Sequence, residues 1–185
     1  MKTIVNLIGY PGSGKTMAAG YLRTEYGFET ISPSDTFRAY AAEHSLPLRG
    51  RADYLAIHTA LLEDDPDAIA RPVLECAAPR ICLDGMRNVH NIIRIERVNP
   101  VTTIHLDCQI PEERFFRVQR DAARTGHRVP QTLEAFMAAE ATDAPWMDDV
   151  IARADYTVDA LCPPGTVMRE IDTIVAEITA HEQQA

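Results

Sequence analysis

The sequence predicts one α/β domain of three layers, a five-stranded and largely parallel sheet held between helices. Three observations predict it. Short apolar runs alternate with amphipathic stretches along the whole chain, the pattern of strands joined by helical crossovers. The first apolar run ends in a glycine-rich turn that opens straight into a helical sequence. The 185 residues suit a single core burying roughly 70% of the unfolded surface, with short insertions rather than a second domain. The expected domain is therefore 1–185.

The elements follow in order. Residues 3–8 form a compact strand that stops at Gly9, and a helix runs over 15–26 after the turn. Residues 29–32 make a second short strand. Residues 35–43 are helical until Pro47 and Gly50 break the pattern. Leu55, Ile57, Leu61 and Leu62 give 51–62 a helical face, and Asp65-Pro66 reads as a helix start carrying Ile69, Val73 and Leu74. Residues 80–83 form a buried strand ending at Asp84-Gly85, followed by a helix over 88–98 and a strand over 101–106. A helix over 111–125 packs Phe115, Phe116 and Val118, and a loop follows at 126–130. Shorter helices occupy 132–141 and 147–153 around Pro145, and 156–158 is the last strand. Val167, Ile171, Ile174, Val175 and Ile178 recur at helical spacing and mark a closing helix. Two polar excursions, about 34–75 and 120–146, follow strand ends, where the crevice of such a sheet opens.

The strongest motif is Gly9-Tyr10-Pro11-Gly12-Ser13-Gly14-Lys15-Thr16, a complete GxxxxGK[ST] between a strand and a helix. Its glycines let backbone N–H groups curl around an anion, and the helix terminus adds partial positive charge. Lys15 suits the β and γ phosphates of a nucleoside triphosphate, and the Thr16 hydroxyl suits Mg²⁺. The motif predicts ATP and Mg²⁺ as cofactors. No NKxD guanine-reading element accompanies it, which argues against a regulatory GTPase.

Charge narrows the partners. Eighteen basic and 27 acidic residues leave a net charge of −9 and a pI near 5.1. That balance excludes a protein that coats nucleic acid or lies on an anionic membrane, but not one that takes a small anion into a local basic pocket. The first apolar run is only five residues long and contains Asn6, so it is neither a signal peptide nor an anchor. Cys76, Cys82, Cys108 and Cys162 stand far apart without a CxxC pair, as reduced thiols of a cytoplasmic protein do.

At the end of the second strand stands Ser32-Pro33-Ser34-Asp35-Thr36-Phe37-Arg38, and at the end of the third Leu83-Asp84-Gly85-Met86-Arg87. Arg117, Arg120, Arg124 and Arg128 follow at spacings of 3, 4 and 4, the first three on one helical face. In this order the pieces resemble the P-loop nucleoside monophosphate kinase group, above all the small adenylate-kinase-like proteins that include dephospho-CoA kinase-like members. Thr132 to Phe136 and Ala154-Asp155-Tyr156 extend the resemblance over nearly the whole chain. It implies a P-loop NTPase fold with an acceptor-binding helical region at about 34–75 and an arginine lid at about 120–146.

The resemblance also implies roles. Arg38 and Arg87 would grip the acceptor's anion, for which a planar guanidinium is suited; a solvent-facing helix charge for Arg38 and a structural salt bridge for Arg87 are the alternatives. Asp84, closing an apolar strand, would hold Mg²⁺ directly or through water. Asp35 fits an orienting contact to the acceptor, a share in the metal, or a simple helix cap. Arg120 and Arg124 would neutralise charge during transfer and exclude water. A solvated arginine face balanced by Glu112, Glu113 and Asp121 is the plainer reading of the same row. His127, beside Arg128, is the one histidine placed for a role; Trp146 could stack on a base, with packing its plainer reading, and Tyr10 reads as a cover for its own helix. The sequence departs from the adenylate kinase pattern where Met86 directly precedes Arg87, and from the dephospho-CoA kinase pattern where Asp35 stands without a second aspartate. Phosphoryl transfer to a nucleoside or deoxynucleoside monophosphate by a monomer or homodimer is the reading expected. Transfer to a ribose hydroxyl and a regulatory or assembly ATPase are its rivals.

Overall fold

A computed structural model of the chain describes residues 2–48, 51–125 and 129–182. Gly50, Gly126, His127 and Arg128, on which the sequence placed a helix break, a loop and part of the lid, lie outside the described residues.

Five strands, β1 (Thr3–Ile8), β2 (Glu29–Ile31), β3 (Arg80–Asp84), β4 (Val101–Asp107) and β5 (Tyr156–Asp159), form one sheet in the order β2-β3-β1-β4-β5. Every pairing is parallel. The helices are α1 (Lys15–Tyr26), α2 (Pro33–Glu43), α3 (Arg51–Asp64), α4 (Arg71–Glu75), α5 (Val89–Glu96), α6 (Pro111–Thr125), α7 (Leu133–Ala141), α8 (Ala144–Ile151) and α9 (Pro164–Glu182). The expected three-layer fold with five parallel strands is the one observed.

The central strands β1, β3 and β4 are mostly apolar and buried because both sheet faces are covered there, while the short edge strands β2 and β5 are largely exposed. Alternate side chains part to opposite layers. Val5 and Leu7 of β1, Cys82 of β3 and Ile104 and Leu106 of β4 pack with α1 and α9. Ile4 and Ile8, with Ile81 and Leu83, pack with Leu61 of α3, Val73, Ile92, Ile95 and Val150 on the other side. Cys76, Cys82, Cys108 and Cys162 are all free thiols. Among the described residues no helix is long and apolar enough to cross a membrane.

Three helix starts differ from expectation, and proline explains each. The helix expected from Asp65-Pro66 begins only at Arg71, because Pro72 lacks an N–H and its ring excludes the carbonyl four residues back; a proline sits comfortably only in a first turn. Residues 66–70 are turns instead, held by buried Asn91, whose side chain accepts from Ala70 N at 2.8 Å and donates to the Pro66 carbonyl at 3.1 Å. Pro33 likewise draws the start of α2 back to residue 33. Pro145 belongs to the first turn of α8, which starts at Ala144 rather than 147.

Candidate active site

The parallel sheet points all its strands one way, so the chain segments leaving β1, β2 and β3 gather along one edge. From β1 the chain enters the glycine loop and then α1. Gly12 has φ +80°, and a Cβ there would lie 2.5 Å from the Arg114 carbonyl oxygen and 2.9 Å from its Cα. Only glycine allows the loop to fold against the start of α6 in this way. Ser13 N–H donates to the Tyr10 carbonyl at 3.1 Å, tightening the turn. Lys15 folds back over the loop, its Nζ donating to the carbonyls of Gly9 at 2.8 Å and Tyr10 at 3.1 Å. Burial pushes the Lys15 ammonium down to about 8, and Arg87 adds to that effect while Asp84 and Glu140 oppose it.

Asp84 ends β3 directly beside Leu7 of β1. Gly85 follows with φ +85°, its N–H donating to the Leu7 carbonyl at 3.0 Å, and a Cβ there would reach 3.7 Å from Lys15 Cε. Buried Asn6 holds the same turn from β1, its Nδ2 donating to the Met86 carbonyl at 3.1 Å. Burial raises the Asp84 carboxyl above its ordinary range; Lys15 and Arg87 pull it back and Asp35 pushes it further up. Asp84, Lys15, Arg87 and Asp35 therefore share one electrostatic neighbourhood. Arg87 Nη1 donates to Asp143 Oδ2 at 2.8 Å, and Asp143 is the residue from which α8 begins.

Asp35 and Arg38 stand one turn apart in α2 and pair at 2.5 Å, both largely exposed. Tyr54 of α3 also meets Arg38, and the two contacts raise the guanidinium pKa, Asp35 contributing most. The arginine row of α6 divides. Arg117 donates to Glu113 at 2.7 Å and to the Ala160 carbonyl at 2.9 Å, which ties α6 to the end of β5. Arg120 is exposed, and Arg124 pairs with Asp121 at 2.6 Å in the open.

Sequence reasoning missed the arginine with the most structural consequence. Arg114 is only 6% exposed and Glu140 8%. They pair through Nε to Oε1 at 3.1 Å and Nη2 to Oε2 at 2.6 Å, while Nη1 donates to the Cys108 carbonyl. The Arg114 guanidinium also lies 5.2 Å from the Tyr10 ring centroid, so Tyr10 packs under α6 instead of covering α1 alone. The spacing did hold a signal, since Arg114 precedes Arg117 by three positions and extends the same row. What hid it was Glu140, 26 residues away. Asp143, the partner of Arg87, was missed for the same reason.

The loop fits a chain of phosphates. Its backbone is curled by glycines, a lysine crosses its mouth, and the Ser13 hydroxyl is buried without a hydrogen-bond partner among the described residues. Exposed Thr16 and partly buried Asp84 are oxygen donors of the kind Mg²⁺ takes. No group of three or more His, Cys, Asp or Glu residues gathers for a metal among the described residues. Beyond the loop, Ile110, Glu112, Glu113 and Leu161 line an open depression of about 550 Å³ where β4 and β5 end.

Comparison with known proteins adds to this. A cytidylate kinase of Methanocella arvoryzae is 49% identical over 45 residues, 24% of this chain and 26% of that protein, so the match spans about a quarter of that relative. A cytidylate kinase of Ignicoccus hospitalis is 28% identical over 142 residues, 75% of this chain and 74% of its own. Shikimate kinase from Acinetobacter baumannii superimposes with a TM-score of 0.59 at 15% identity, covering 98% of this chain and 95% of that one, a likeness of fold. Residues 8–136 match the family described as AAA domain. That match begins at Ile8, from which the phosphate loop springs, and takes in Asp35, Asp84 and Arg87; the chain belongs to the AAA domain family and has the fold of a small P-loop kinase of the nucleoside monophosphate kinase type.

Proposed function

We propose that the protein is a kinase that moves the γ-phosphoryl group of Mg–ATP to a small anionic acceptor, a nucleoside or deoxynucleoside monophosphate. The observation that carries this reading is the electrostatic coupling of Lys15 of the phosphate loop to Asp84 and Arg87, with Asp84 paired beside Leu7 and a Cβ on Gly85 reaching 3.7 Å from Lys15 Cε. A donor-side cation, a metal-holding carboxylate and an acceptor-side guanidinium are what phosphoryl transfer between two anions requires. The name cytidylate kinase borne by two relatives supports the same acceptor class.

Mg–ATP supplies the phosphoryl group and the cation that neutralises its oxygens. Lys15 exchanges the Gly9 and Tyr10 carbonyls for phosphate oxygens. Thr16 and Asp84 hold the metal, Gly9 to Gly14 wrap the phosphates, and Arg38 and Arg87 orient the acceptor with Asp35 beside them. Arg120 and Arg124 of α6 meet the charge in transit when that region closes. The chain works in the cytoplasm as a monomer or homodimer, with no nucleic-acid polymer or membrane as partner.

Labelled ATP offered with a panel of nucleoside monophosphates, dephospho-CoA and shikimate tests this. A monophosphate is expected to take the label, and Arg87→Ala to raise its KM about 10- to 100-fold, the worth of one charge-assisted contact. If no acceptor outpaces water, the assignment fails. The raised carboxyl of Asp84 next to Asp35 favours one second reading, transfer to a ribose hydroxyl with a carboxylate taking its proton. Label on dephospho-CoA would select it. Hydrolysis that only a protein partner accelerates would select a regulatory ATPase.

The depressed Lys15 predicts a proton uptake. Phosphate restores the ammonium that burial disfavours, so a lysine titrating near 8 regains its proton on binding. At pH 8.5 the calorimetric enthalpy of ATP binding should vary with the ionisation enthalpy of the buffer, with protons taken up. Lys15→Met should remove that dependence. Equal enthalpies in two buffers would contradict the assignment of Lys15 to the phosphates.

A further inference from the structure

Trp146 is the only tryptophan of the chain. It stands in the first turn of α8 and is 42% exposed. Its ring meets His58 of α3 at a centroid distance of 4.8 Å and an angle of 78°. His58 meets Phe37 of α2 at 5.7 Å and 78°, and Phe37 meets Tyr54 of α3 at 6.3 Å and 81°. Four rings from three helices thus form one row, each set edge to face against the next. The row joins α8 to the helical excursion between β2 and β3.

One end of the row reaches Arg38 of the candidate acceptor site, and the helix at its other end starts from the residue that holds Arg87. Tyr54 meets Arg38. At the other end the backbone N–H of Trp146 donates to the Asp143 carbonyl at 3.1 Å within the first turn of α8, and the Asp143 carboxylate holds Arg87. Packing alone accounts for Phe37, which lies against the buried core. It does not account for an indole left 42% open at the far end. An edge-to-face contact covers at most one face of that indole, leaving surface for another ring. Burial lowers the His58 pKa, so the imidazole behind the indole is uncharged at neutral pH and the row is apolar.

We propose that Trp146, backed by His58, is a stacking platform for a planar aromatic ring carried by the acceptor, and so selects a nucleotide over a sugar acid or an alicyclic acid. The proposal rests on the kinase reading given above and deepens it. The anion of such an acceptor goes to Arg87 and Arg38, and its base lies along the row between them. Trp146 is a specificity-determining residue in this scheme and takes no part in bond making.

Because Trp146 is the sole tryptophan of these 185 residues, its fluorescence reports on the platform in the unmodified chain. Adenosine, guanosine, cytidine and uridine 5′-monophosphates are the aromatic probes; ribose 5-phosphate and shikimate carry an anion without an aromatic ring. At least one nucleoside monophosphate should quench the emission saturably, and the two ring-free anions by less than about a fifth as much. Trp146→Ala should raise the acceptor KM about 5- to 100-fold, the range of base stacking on an aromatic side chain, with kcat within about 3-fold. Trp146→Phe should recover most of the loss, which a purely structural defect would not allow. Absence of quenching by every monophosphate overturns the proposal, as does an unchanged KM in Trp146→Ala. Transfer to shikimate but to no nucleotide would overturn it, and the monophosphate as acceptor with it, while phosphoryl transfer from ATP stands. Saturable quenching without transfer to any acceptor would uphold the platform and refute the kinase reading.

Discussion

Lys15→Met should lower kcat about 10²- to 10³-fold, the loss seen when one preorganised donor to a developing oxyanion is removed, without lowering the melting temperature at neutral pH. The two halves of this result come from one fact. The ammonium is buried beside Arg87, and its pKa falls to about 8 in the free protein. A base whose pKa is depressed by folding destabilises the fold at pH values below that pKa, and stability recovers as pH rises from about 8 toward 10.5. Methionine keeps the length of the chain and removes the charge. The hydrogen bonds to Gly9 and Tyr10 are lost with it, a countervailing cost of about 1 kcal/mol each. Initial rates with saturating acceptor and scanning calorimetry at pH 7 give both numbers. A variant retaining more than a tenth of kcat would remove Lys15 from the chemistry.

Glu140→Ala should cost about 3–5 kcal/mol of stability, because it leaves the Arg114 guanidinium charged, buried and without its carboxylate. For a chain of this length that is a fall of roughly 6–20 °C in melting temperature. Nucleotide affinity should fall too, since the backbone of Arg114 is what Gly12 packs against. The pairing of Arg114→Met with Glu140→Leu should restore most of the stability, as apolar side chains often replace a buried ion pair at little cost. Urea denaturation of the single and double variants separates the cases. A loss under 1 kcal/mol in Glu140→Ala would mean that the pair carries no structural weight.

Legibility in the sequence followed the range of the interaction. β1, the glycine loop and α1 were readable to the residue, because each is set by its own few neighbours: an apolar run, glycines, then a helical pattern. The sheet was readable as parallel because short strands, apolar at its centre, alternate with helices. Pro72 was readable in principle, but the apolar spacing of Ile69, Val73 and Leu74 outweighed it, and tertiary contacts from Asn91 decided the matter. What stayed hidden depends on residues far apart in the chain. Asp143 reaches Arg87 across 56 positions, Glu140 reaches Arg114 across 26, and Trp146 meets His58 from a different excursion. Single-sequence spacing carries no record of such pairs.

With two strands on either side, β1 hands the phosphate loop to a rigid centre, while Asp35, Arg38, His58 and Tyr54 all hang on the chain between β2 and β3. Changes of length, charge or aromatic content in that one stretch alter most of the proposed acceptor side, Arg87 and Trp146 excepted, without touching the strand that carries the phosphate loop. On the proposed reading, acceptor choice can therefore change with little effect on the grip on the donor.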